Sequence, residues 1–125
     1  MLGINAGVIK AYQNIDNATL SGRETEARVL TRAALKLKEC KNGWDTPGRK
    51  NKLDEALRYN QRVWSIFQEE LAMENNPLPQ KIKEDILSLS IFIDKRIFEI
   101  MAFPAPEKLG VLININQNIA AGLRS

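Results

Sequence analysis

The chain has no histidine and a single cysteine, Cys40, in 125 residues. Zinc centres and nucleophilic triads draw on those two side chains for ligands and bases, so most of that chemistry is excluded at the outset. A lone cysteine permits no internal disulfide; with no secretory signal in view, the reducing cytoplasm is the expected compartment. Long apolar runs are missing as well. Met1 to Ile9 is mildly apolar but lacks the basic start and extended apolar stretch of a signal peptide, and no run elsewhere reaches membrane length. The net charge of +3 is too small to imply nucleic acid by itself. What remains, 44% hydrophobic and 26% charged residues, is the composition of an ordinary globular protein. A chain this long buries one core and not two, so residues 1–125 are expected to form a single domain.

The apolar residues recur at helical spacing throughout. From Pro79 to Met101, Ile82, Ile86, Leu89, Ile93, Ile97 and Ile100 fall on one stripe. Leu87, Ile91, Phe98 and Met101 widen it to about half the helix circumference, more than a surface helix carries. Lys83, Glu84, Asp85, Lys95, Arg96 and Glu99 make it too polar to span a membrane. Other helices of this chain or of a partner must therefore cover it. The expected fold is all-α: a compact bundle of about five helices around this central hydrophobic one.

The other helices follow from their caps and breakers. Asn5 to Asn17 can form a short first helix, and Ser21 with Glu24 has the spacing of a capping box ahead of Ala27, Leu30, Ala33, Ala34, Leu37 and Cys40. That predicts a helix from about Glu24 to Lys41, closed by Asn42-Gly43. Pro47-Gly48 marks a turn in the basic loop from Trp44 to Lys52. Leu53, Ala56, Leu57, Val63, Trp64, Phe67 and Leu71 give the stripe of the next helix, which Asn75-Asn76-Pro77 ends. Pro79 suits a first helical turn, where its missing N–H has no intrahelical partner. After Pro104 and Pro106, Leu109, Leu112, Ile113, Ile119, Ala120 and Leu123 carry a last helix, with Gly122 as its terminator. Val111 to Ile115 could pass for a strand, but the helical spacing continues past it and a lone strand has nothing to pair with.

Two amides interrupt these apolar faces, Asn60 and Asn116. A buried amide left unpaired costs about 1–3 kcal/mol, so each needs a hydrogen-bond partner, and each is a candidate partner for the other. Paired, they would set helix register. Asp94 falls within the broad arc of the isoleucine-rich helix; it needs a cationic or amide partner there, or an edge open to water.

No residue set reads as catalytic. The clustered carboxylates Asp54-Glu55, Glu69-Glu70-Glu74 and Glu84-Asp85 read as solvated helix faces, since acid/base work needs a pair held in a concave site with divergent pKa values. No cofactor, metal or small-molecule substrate is expected. Binding surfaces are the better candidates. Tyr59, Ile66 and Met73 form a second, thinner stripe spaced by sevens, which either packs the amino-terminal segment or faces a partner. Trp44, just past a helix end, either caps the core or anchors a partner. Between Arg28 and Lys52 eight basic residues stand against two acidic ones, and Arg28, Arg32 and Lys36 recur every fourth residue, a track that could follow an RNA backbone or an acidic protein. Base reading would add exposed aromatics or a known module, and neither is evident. Cys40 lies on the apolar stripe and reads as a small buried hydrophobe.

The ordered stretches AYQNIDNATLSGRETEARVLTRAALKL, WDTPGRKNKLDEALRYNQRVWSIFQEEL, NNPLPQKIKEDILSLSIFI and PEKLGVLININQNIAAGLRS resemble the FlaF family of flagellar biosynthesis regulators over essentially the whole chain. EALRYNQRVWSIF, NPLP and ININQNIAAGL are the most specific. The resemblance implies a cytoplasmic, non-enzymatic factor that promotes flagellin synthesis and export. It would act as a flagellin secretion chaperone or as a post-transcriptional regulator of flagellin mRNA, directly or through the opposing regulator FlbT. The family supplies no catalytic residues. It supplies the landmarks Tyr59, Asn60, Trp64, Pro77, Pro79, Asn116 and Leu123. As a chaperone, the domain would cover the apolar face of a flagellin helix, with Tyr59, Ile66 and Met73 as first lining and Trp44 as second. Ile66→Glu is then expected to abolish binding while leaving helicity intact. Arg28, Arg32 and Lys36 would serve the RNA alternative.

Overall fold

The computed structural model describes residues 22–125. The helix expected over Asn5 to Asn17, and the Ser21 half of the capping box, lie outside the described residues. Within them the chain is all-α. The elements are α1 (Gly22–Asn42), α2 (Arg49–Leu71), α3 (Gln80–Ala102), a 3₁₀ turn (Pro106–Leu109) and α4 (Gly110–Arg124).

Each boundary has a local cause. α1 closes where the Gly43 N–H donates to the Glu39 carbonyl at 3.0 Å and the Thr46 hydroxyl to the Gly43 carbonyl at 2.6 Å. Gly48 then takes φ +82°, the left-handed conformation that a side chain disfavours, and α2 begins at the next residue. After α2, the Asn76 amide donates to the Glu70 carbonyl at 3.1 Å and its oxygen accepts the Leu78 N–H at 3.0 Å, fixing the corner before Pro79. Pro79 sits one position earlier than a first helical turn: it is the N-cap of α3, and its carbonyl accepts the Lys83 N–H at 3.1 Å. Pro106 opens the 3₁₀ turn, and the Val111 to Ile115 stretch is helical, as its spacing required. Gly122 does not end α4, which continues to Arg124.

α1 runs antiparallel to both α2 and α4, with Lys36 meeting Glu55 at one flank and Arg124 meeting Glu24 and Thr31 at the other. α3 returns antiparallel along α2, where the Gln68 amide donates to Asp94 at 3.0 Å. Asp94 thus has the amide partner that its position demanded. Ile93, Ile97 and Ile100 of α3 are fully buried with Trp64, Phe67, Leu30, Leu37, Leu57, Leu109 and Leu112.

The expectation that the Pro79 to Met101 helix stands at the centre needs correction. Among the described residues α1 holds the middle, contacting α2, α4 and the 3₁₀ turn, whereas α3 packs mainly on α2 and more lightly on the 3₁₀ turn. The alanines explain the exchange of roles. Ala27, Ala33 and Ala34 of α1 are buried and short, so two neighbours can close on that helix at once. The broad arc of α3 has one principal neighbour, and half of it stays uncovered.

Candidate partner-binding surface

The scaffold beneath the surface is fixed by a buried polar network. The Asn116 amide donates to the Asn60 oxygen at 2.6 Å, and the Asn116 oxygen accepts the Trp64 indole N–H at 2.9 Å. The Asn60 amide donates to the carbonyls of Ala33, at 3.1 Å, and Ala56, at 2.9 Å. One chain of hydrogen bonds therefore joins α1, α2 and α4. All three side chains are buried, and among the described residues no buried side-chain nitrogen or oxygen lacks a partner. A one-turn slip of α4 would leave at least two of these groups unpaired, which is how the pair sets register.

The stripe Tyr59, Ile66 and Met73 is not uniform. Tyr59 and Ile66 are half-buried and packed against the core, with the Lys36 ammonium 5.2 Å from the centre of the Tyr59 ring. Only Met73, 40% exposed, stands clear. Ile66→Glu would therefore disturb the core as well as any surface, which removes its value as a clean test of binding. Trp44 is likewise half-buried on the core, its outer face covered by the Arg49 guanidinium at 4.4 Å from the ring centre.

The basic track is also divided. Arg28 and Arg32 face outward from α1, while Lys36 is turned to the α2 flank, where it pairs with Glu55 at 3.1 Å. A cleft of about 360 Å³ opens beside it, lined by Lys36, Glu39, Cys40, Thr46, Arg49, Lys52 and Glu55, with both signs of charge present. Cys40 forms part of that wall. Burial, seconded by the Glu39 carboxylate, raises its thiol pKa above the usual value, so the thiol stays protonated and a poor nucleophile at neutral pH. No group of three or more histidine, cysteine, aspartate or glutamate residues that could hold a metal occurs among the described residues.

The outer face of α3 carries the surface that the residue pattern alone did not single out. Phe98 is 63% exposed and Ile91 54%, although both belong to the arc read as buried. Met101 is exposed beside them, and Leu87 half-exposed. Phe92 and Phe103 are exposed too, but Arg96 and Lys108 lie over their rings at 5.5 and 5.8 Å. Among the described residues no cation covers Phe98. Exposed apolar side chains on one helix face, here with Lys95 between Ile91 and Phe98, make that face a candidate docking surface. The signal in the residues was the width of the arc itself, too broad for one neighbour.

The helices, their order and the Asn60 to Asn116 pairing can be set against known proteins. The family model described as "Flagellar protein FlaF" matches residues 8–123, nearly the whole chain. The chain belongs to the FlaF family. Comparison with curated proteins and with solved structures returned no match. The FlaF landmarks Asn60, Trp64 and Asn116 are the three members of the buried network, so their part in this fold is to hold α1, α2 and α4 in register. Leu123 is buried and Tyr59 half-buried. Membership gives the protein a role connected with the flagellum. No described helix is long and apolar enough to cross a membrane.

Proposed function

We propose that this FlaF-family protein is a cytoplasmic, non-enzymatic chaperone that binds flagellin before export, by laying an amphipathic flagellin helix on the outer face of α3. The observation that carries the reading is the exposure of Ile91 and Phe98 on a helix whose opposite face buries Ile86, Ile93, Ile97 and Ile100. The family's connection with the flagellum makes flagellin the candidate partner, since its terminal helices present the apolar face that such a surface would shield. A helix docked on a ridge reads through anchors one or two turns apart, and Leu87, Ile91 and Phe98 have that spacing. Met73 and Trp44 offer less: one is isolated and the other is already covered by Arg49.

Co-elution of purified protein with unassembled flagellin in size exclusion tests the reading. A complex at micromolar concentration is expected, and Phe98→Glu should abolish it with helicity and melting temperature unchanged, because the side chain is exposed in the free protein. No complex, or a complex indifferent to Phe98→Glu and Ile91→Glu, would remove this mechanism. The alternative, action on flagellin mRNA directly or through FlbT, predicts RNA binding that falls steeply with salt and weakens on replacing Arg28 or Arg32. The pairing of Lys36 with Glu55 takes one of the three cations away from it.

A further inference from the structure

The exposed residues of α3 have an order of their own. Glu84, Ser88, Ile91, Lys95, Phe98 and Ala102 are spaced alternately by four and three, and every one of them is exposed. That is the 4-3 spacing of a two-stranded coiled-coil seam, laid along about five turns of helix and left open among the described residues. We infer that a second copy of this chain docks on this seam, the two α3 helices lying antiparallel about a twofold axis.

The charges select that occupant and that direction. Neither Glu84 nor Lys95 is in an ion pair among the described residues, while the neighbouring Lys81, Asp85, Arg96 and Glu99 are all paired within their own chain. A parallel pair of α3 helices would set Glu84 against Glu84 and Lys95 against Lys95, like charges facing each other in two layers of the seam. In the antiparallel register that places Ser88 opposite Ile91 of the second copy, Lys95 falls opposite Glu84 twice, once on each side of the axis. The small Ser88 side chain lets the helices approach at the crossing, where the two Ile91 side chains meet. Each Phe98 then closes an outer end over the Lys81 stem of the other copy. Shifting the register by one heptad sets Lys95 against Ile91 and Glu84 against Ala102, leaving four charges facing apolar groups without partners. The twofold is therefore written into the helix: one patch complementary to itself when reversed.

Such a seam is smaller than a standard protein interface, so the dimer is weak, with a dissociation constant on the order of tens of micromolar. The inference stands on the charges of α3 and not on the flagellin reading. Both occupants use one face, so a flagellin helix would displace the second copy.

Sedimentation equilibrium of the full chain, without flagellin, tests it. The wild type should show a reversible monomer–dimer equilibrium, Glu84→Lys and Lys95→Glu should each weaken it about tenfold or more, and the double reversal should restore it. Circular dichroism on all four proteins separates weakened association from lost folding; these positions are exposed, so helicity should be constant. A wild type that stays monomeric to a few hundred micromolar would overturn the inference. So would single reversals without effect, or a double reversal that fails to restore association. A chain that dimerises this way yet ignores flagellin would remove the chaperone reading and leave the dimer standing.

Discussion

α1 and α3 are near equals in length, 21 and 23 residues, and both are amphipathic, yet they end in different circumstances. α1 has α2 on one side and α4 on the other, and what it turns outward includes the charged Arg28, Arg32 and Glu39. α3 is the more apolar helix and has the poorer cover, with α2 over one face and Ile91 and Phe98 bare on the opposite one. Hydrophobicity thus sets how much of a helix wants cover, and the number of neighbours that can reach it sets how much is obtained. Short side chains on α1 admit two neighbours. Bulky ones on α3 hold one at a distance and leave a surplus exposed.

Substitutions on the two helices sharpen this contrast. The largest effect belongs to the inner face of α3: Ile97 is 0% exposed, and Ile97→Ala should cost about 3 kcal/mol by lost burial and residual cavity. Ile91→Ala, the same chemistry two turns away, should stay within about 0.5 kcal/mol in a urea titration of monomer. Equal losses at the two positions would mean that the outer face is covered after all.

Next in size is the network on the α1 side. Asn116→Leu strands the Trp64 N–H and the Asn60 oxygen and should cost about 1–3 kcal/mol. Replacing both asparagines by leucine should cost less than the two single changes added together, because they share one hydrogen bond. Strict additivity in chemical denaturation would break the claim that the pair acts as one unit.

Gly48→Ala comes third, at about 1 kcal/mol. No atom lies within 4 Å of the added methyl, so the penalty is that of φ +82° alone. It should appear as a lower unfolding midpoint with an unchanged denaturant slope.

The smallest effect is alkaline. Burial raises the Cys40 pKa in the fold, so the folded chain retains a proton that the unfolded chain gives up first. That contribution is complete below the unfolded thiol's pKa and is lost as pH rises towards the folded one. Between neutral pH and pH ~10 the wild type should therefore lose more stability than Cys40→Ala, measured by melting temperature.

Much of this was legible beforehand. The Asn60 and Asn116 interruptions announced a buried pair, because an amide in an apolar stripe has to find a partner, and the two were the candidates for each other. Trp64 as third member was not legible, since an indole within a stripe reads as core whether or not its N–H is used. The stripe of Tyr59, Ile66 and Met73 is a helical line only as far as Ile66, because α2 ends at Leu71 and Met73 lies past its C-cap, Ala72; periodicity also does not say how deep a line lies. Lys36 shows the same limit: its spacing joined it to Arg28 and Arg32, while its position on the flank joined it to Glu55.

The sequence by itself determined that the chain is helical, where its helices break, and that its chemistry is not that of histidine or paired thiols. Those properties follow from spacing, caps and composition, all local to the chain. Which helix would stand in the middle, and which half of α3 would be left exposed, was decided only by tertiary packing. Coverage depends on how closely neighbours can approach, and that is fixed by side-chain volumes across two helices at once.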